Sequence, residues 1–283
     1  MDTLFAVLSR LPLCLLHVLG SCCGWITLIA SPKYRYQFLK NVGLAGYSFG
    51  QVVSAVGQAG KMLLEPPRLW RGKPVRVVWK GAELIEQAHR DAAGILFLTP
   101  HLGCFEITAQ AYGRCYAAER GPITVLYRPS RKQWLRDLVD HARQRPGELE
   151  AAPTTLAGVK TLIKALKKGE AVGLLPDQVP PDGMGVWQPF FGQSAYTMTL
   201  SARLAQVPGT RVLLAWGERL SWGRGFCIHI QSLQDVLPQE ELYTDIERAA
   251  GQINRAMEVL IRQQPKQYLW AYERYKQPRK LKS

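Results

Sequence analysis

Ile95-Leu96-Phe97-Leu98-Thr99-Pro100-His101-Leu102-Gly103-Cys104-Phe105-Glu106 is the stretch that decides how the chain is read. Four apolar residues make a short buried strand, and Thr99-Pro100 breaks it. Phe105, Ile107, Ala109, Ala111 and Tyr112 then begin a helix, so His101 sits on a strand-to-helix loop with Glu106 in the first helical turn. A carboxylate so placed can accept from one imidazole nitrogen and raise the basicity of the other. The free amides and positive dipole end of the helix suit a developing oxyanion. Five His set against 22 acids in 283 residues give roughly 0.4 His–acid pairs of this spacing by chance, so the surrounding chain has to carry the rest of the case.

Outward from that stretch, strands and helices alternate. Val75 to Trp79, Ile123 to Tyr127, Ala171 to Leu175, Val212 to Trp216 and Phe226 to Ile230 read as strands. Ala82 to His89, Lys132 to Arg143, Thr155 to Lys168 and about Glu240 to Gln263 read as helices. The pattern predicts an α/β fold with a mostly parallel sheet flanked by helices and with ligand groups on loops at strand C-termini. Three loops share that address: His101 and Glu106 after one strand, Arg128 after the next, and Asp177 after a third. A planar Arg at a strand end suits a phosphate or carboxylate. Asp177 can orient Arg128, bind a substrate hydroxyl or simply make a turn. Val179 to Gly185 reads as a mobile loop, and Phe190-Phe191-Gly192 with Tyr196 as apolar surface or ordinary core.

The N-terminal part is different. Leu11 to Ala30 holds no Asp, Glu, Lys or Arg; as a helix it reaches about 30 Å, a bilayer core. Lys33, Arg35 and Lys40 follow it, which directs the remainder to the cytoplasm. Residues 34–64 read as an imperfect helical segment closed by Pro66-Pro67. The expected organisation is therefore a membrane anchor at 1–31, a helical membrane-proximal segment at 32–67 and an α/β catalytic domain at 68–283. Hydrophobic content of 47% excludes wholesale disorder, and a formal charge of +14 asks for an anionic partner. No zinc-finger spacing or RNA-binding signature supports a nucleic-acid binder. Cys14, Cys22, Cys23, Cys104, Cys115 and Cys227 have no disulfide-framework or metal-ligand spacing. Cys104 offers a rival nucleophile, though a buried small hydrophobe is the commoner role.

Five ordered blocks then carry a resemblance. They are His101-Leu102-Gly103-Cys104-Phe105-Glu106, Tyr127-Arg128-Pro129, Leu175-Pro176-Asp177-Gln178, Phe190-Phe191-Gly192 with Ala195-Tyr196-Thr197, and Gln267 to Lys276. Together they resemble the late acyltransferases of bacterial lipid A biosynthesis, within the lysophospholipid acyltransferase superfamily. Many members of that superfamily carry Asp where Glu106 stands. The resemblance implies transfer of a fatty acyl chain from acyl carrier protein to a hydroxyl of a lipid A precursor at the bacterial inner membrane. His101 would be the base, Glu106 its stabilising acid, and Arg128 and Asp177 substrate-site residues, with no metal or redox cofactor. Two alternatives stay open: an acceptor that is a lysophospholipid or other amino lipid, and a thioester hydrolase using the same pair with water. Acyl length and acylation position are properties of a pocket, and no sequence pattern encodes them here.

Overall fold

The computed structural model describes residues 2–127 and 147–280. Nine strands are described: β1 Val77–Lys80, β2 Gly94–Leu98, β3 Ile123–Tyr127, β4 Leu149–Pro153, β5 Ala171–Leu174, β6 Gly185–Phe190, β7 Gln193–Met198, β8 Thr210–Arg219 and β9 Phe226–Ser232. The described α-helices are α1 Asp2–Arg10, α2 Leu13–Ala30, α3 Pro32–Leu44, α4 Phe49–Val52, α5 Ala55–Arg71, α6 Ala82–Arg90, α7 Phe105–Arg120, α8 Leu156–Lys167, α9 Leu200–Ala205, α10 Leu233–Val236 and α11 Ile246–Gln263. Seven strands form one sheet in the order β1-β9-β8-β2-β5-β3-β4, parallel throughout except where β8 meets β9. The expected α/β fold is the observed one. The helix expected at Lys132 to Arg143 lies outside the described residues.

Alternation along the strands divides the core. Leu96 and Leu98 pack on one face with α8 and α11, while Ile95 and Phe97 pack on the other with α6 and α7. After β2 the chain leaves over the α7 face towards β3. After β5 it leaves over the opposite face, through the β6–β7 hairpin and α9. Neighbouring strands β2 and β5 thus send their connections to opposite sides, and the crevice at their C-terminal ends is where ligand groups gather in such sheets.

Three features depart from expectation. β4 and the β6–β7 hairpin are strands that the apolar pattern does not announce. The hairpin turns on Phe191 and Gly192, both at positive φ (46° and 72°), the geometry of a two-residue primed turn. Phe191 is held there by burial and by donating its N–H to Glu258 at 2.8 Å. The loop from Val179 to Gly185 is tied down: Val179 N–H donates to Tyr272 Oη, and Gly183 and Gly185 both donate to Tyr196 Oη.

Pro66-Pro67 does not end a segment. α5 runs through both prolines to Arg71, so the boundary expected after residue 67 falls inside a helix. Proline costs a helix bond, but here Glu65, Pro67 and Leu69 are buried and pinned on either side of the break. Phe38, Val42, Val52 and Val56 of the supposed membrane-proximal segment join the same core cluster as the sheet. α2 is likewise docked on α5. Gly20 and Gly24 face Gly57 and Gly60 so closely that a Cβ on Gly60 would lie 1.9 Å from the Gly20 carbonyl oxygen. The other side of α2, including Val18, Ile26 and Ile29, is exposed.

Candidate active site

His101 is placed by ladder register. β2 and β5 pair with a constant offset, Leu98 opposite Leu174, and three residues further on the same offset brings His101 opposite Asp177. His101 N–H donates to Asp177 Oδ2 at 2.8 Å, and Nδ1 lies 2.7 Å from Oδ1. Asp177 is only 2% exposed and stands behind the imidazole. Tyr268 Oη adds a bond to Oδ2 at 3.3 Å. Burial alone would raise the Asp177 carboxyl; the charge and hydrogen bonds of His101 outweigh it and hold it below the usual carboxylate range. An ionised Asp177 assigns the proton to Nδ1 and leaves the Nε2 lone pair free for chemistry. Nε2 accepts from the exposed Gln178 amide at 2.9 Å.

Glu106 is not on the imidazole. Between the two residues the chain is fixed in another direction. Leu102 bridges Tyr268, Gly103 N–H donates to Gln267 O, and Cys104 N–H donates to Gly217 O at 2.7 Å. Gly103 has φ +60°, and a Cβ there would lie 2.0 Å from Gly217 O; only glycine fits that turn. The Phe105 ring then lies against His101, with centroids 4.9 Å apart, and Glu106 points to the cavity wall. There its Oε2 accepts from Trp70 Nε1 at 3.3 Å. The same indole N–H is 3.1 Å from Gln110 when that amide is turned to donate to Leu69 O. Asp177 therefore occupies the place on the imidazole that was expected of Glu106. The loop amides of 101–104 are spent on Asp177, Pro100, Gln267 and Gly217; any oxyanion donors must come from elsewhere. Arg128 lies outside the described residues.

Cys104 is 2% exposed and is not part of the cavity wall. Burial and the Glu65 carboxylate push its thiol well up, opposite to what a nucleophile needs. Beneath it lies a buried network absent from any sequence pattern: Glu65 accepts from Arg219 Nε at 2.6 Å and Nη2 at 2.8 Å, and is 2.9 Å from His17 Nε2 on α2. The Gln267 side chain accepts from Arg219 N–H and donates to Arg219 O, and its own carbonyl holds Gly103. The tail block Gln267 to Lys276 is thus the strap of the site. Asn41 holds it from α3 through Trp270 O and Tyr272 O, and Arg274 ties it to Tyr196 O and Thr197 in β7.

His101 and Glu106 both open onto a cavity of about 580 Å³, within the range of small-ligand pockets. Its walls are apolar: Trp79, Phe97, Tyr112, Val125, Ala215 and Ile228 among others. Polar groups in the lining include Thr99, His101, Glu106 and Gln178. A ligand with a largely apolar body and a polar reacting group suits this lining. Among the described residues one trio, Glu218, Cys227 and His229, has ligand atoms within 4.8 Å of one another. It alternates with the cavity-lining Ile228 and Ile230 on β9, so it faces away from the cavity, and Glu218 is already bonded to His229 at 2.9 Å.

Residues 48–277 match a family model described as bacterial lipid A biosynthesis acyltransferase. Over 222 residues the chain is 27% identical to the lipid A biosynthesis palmitoleoyltransferase of Escherichia coli K12, covering 77% of this chain and 68% of that protein. The lauroyltransferase of the same organism is 27% identical over 230 residues, 80% and 71% of the two chains. The myristoyltransferase is 24% identical over 196 residues, 69% and 57%.

Proposed function

The chain belongs to the bacterial lipid A biosynthesis acyltransferase family, and from that premise we propose that it moves a fatty acyl chain from acyl carrier protein to a hydroxyl of a lipid A precursor, with His101 as general base. The observation that carries the mechanism is the His101–Asp177 pair, with His101 on the wall of a largely apolar cavity. His101 Nε2 takes the acceptor hydroxyl proton as its oxygen attacks the thioester carbonyl. Asp177 stabilises the imidazolium that forms. Collapse of the tetrahedral intermediate breaks the C–S bond, and His101 returns the proton to the departing thiolate. Ester and free thiol result, and no metal or redox group enters the balance. Glu106, on the same wall and bonded to Trp70, adds negative charge to the site. Arg128, one residue beyond β3, is proposed as a substrate-phosphate contact. The site faces the cytoplasm at the inner membrane, where carrier protein and precursor meet.

The test is transfer by purified full-length protein from an acyl carrier protein thioester to a lipid A precursor in detergent. His101→Ala should abolish transfer while the protein still folds. Fatty acid release at the same rate with and without the acceptor would establish the hydrolase instead.

A further inference from the structure

We propose that Gly173 sets the length of the acyl chain the enzyme accepts: its missing side chain is a notch in the floor of the cavity, and the distal part of the chain lies in it. The inference rests on the acyl-transfer function proposed above. Gly173 sits in the middle of β5, the strand between β2 and β3, with Phe97 on one side and Val125 on the other in register. Ala171, Val172 and Leu174 are buried, and Gly173 alone in that strand is partly open, because it faces the cavity that Phe97 and Val125 also line.

Glycine inside a strand weakens it and has to be explained by a bend, a close backbone or a ligand. The first is absent: φ at Gly173 is not in the left-handed region, unlike that of Gly103 or Gly169. The second is absent too. A Cβ on Gly94 or Gly217 would strike a backbone oxygen at 2.2 or 2.5 Å, whereas a Cβ on Gly173 meets only side chains, Val125 Cγ1 at 3.1 Å and Ile123 Cδ1 at 3.7 Å. What remains is the space beside the Val125 side chain, which a Cβ would fill and press upon. Gly173 lies four residues before Asp177, about 13 Å below the His101–Asp177 pair along the strand. That is the depth at which the far part of a chain esterified at the pair would run. Ala215 on β8 and Ala109 on α7 are small residues of the same cavity wall.

The experiment is a competition among saturated acyl carrier protein thioesters rising by two carbons, with a lipid A precursor as acceptor and full-length protein in detergent. Competition reads relative kcat/KM even when absolute activity is low. Gly173→Ala and Val125→Phe should move the preference to shorter chains. Val125→Ala, which widens the same notch from its side, should move it to longer ones. Each methylene displaced costs about fourfold, the equivalent of about 0.8 kcal/mol, so a two-carbon step should shift by about fifteenfold. An unchanged chain-length profile in all three variants, a uniform loss at every length, or a shift of Val125→Ala towards shorter chains would overturn the assignment. Lack of transfer by the wild-type protein at every length would bring down the function itself, and this inference with it.

Discussion

Replacing Asp177 with Asn keeps the side chain's shape and inverts its hydrogen bond to His101. The carboxylate accepts from Nδ1–H; an amide nitrogen in its place would donate to Nδ1 and drive the proton to Nε2, where the base has to be free. Loss of about 10³–10⁴-fold in kcat is expected, with little change in folding, by the logic of an orienting acid behind a catalytic His. Nitrogen NMR of His101 is the direct check: Nδ1–H in the wild type and Nε2–H in Asp177→Asn. Retention of the wild-type tautomer with full activity would remove Asp177 from the mechanism. Glu106→Gln should slow transfer less and leave the tautomer as it is. His101 was legible in the sequence because a polar residue at a strand end announces itself. Its partner was not, because Asp177 becomes adjacent only when β5 inserts between β2 and β3, and strand order is not written in any local pattern. Gln178 and Tyr268 stood inside quoted blocks, but their contacts with the pair were hidden for the same reason.

At the scale of elements, the buried Glu65–Arg219 pair joins α5 to β8, and His17 extends it to α2. Burial would raise the Glu65 carboxyl, but Arg219, helped by His17, pulls it down to about 2. A folded-state value below the unfolded one contributes stability above the unfolded value, near 4.5. That contribution is lost as pH falls from there to about 2. Wild-type Tm should therefore drop across this window, and Glu65→Gln should flatten the acid limb. At neutral pH the same variant leaves Arg219 buried without its counter-charge, so it should be destabilised by about 3–5 kcal/mol. Thermal unfolding from acid to neutral pH measures both effects. A variant as stable as the wild type at neutral pH would show the pair to be idle. None of this was visible in the sequence: Glu65 precedes Pro66-Pro67 and looks like the end of a segment, and Arg219 looks like a surface charge. The strands β2, β3, β5, β8 and β9 were visible because buried parallel strands read as apolar runs. β4 and the β6–β7 hairpin were not, since Glu150, Gln188 and Pro189 interrupt them.

For the whole molecule, the exposed side of α2 and the charge of +14 together argue for a protein that lies on a membrane with one face in it. Leu13–Ala30 is long and apolar enough to cross a bilayer. Crossing alone would require leaving α5, because Gln58, Lys61, Glu65 and Arg68 of that helix would otherwise be carried into lipid. Leaving α5 would in turn uncover the glycine contact at Gly20 and Gly60 and strip His17 from Glu65. Lying flat avoids both costs. His17, Gly20, Gly24 and Leu28 stay against the protein, while Val18, Ile26 and Ile29, with Leu4 and Val7 of α1, enter the headgroup–acyl boundary. The expected outcome is that a reporter fused ahead of Met1 lies on the cytoplasmic side, the same side as a reporter at the C-terminus. Removing residues 2–31 should lower Tm as well as membrane binding, because Glu65 and Arg219 lose a wall. A reporter found on the opposite side of the membrane, or a truncated protein that is soluble and fully stable, would mean that α2 leaves α5 and spans the bilayer as a separate tether.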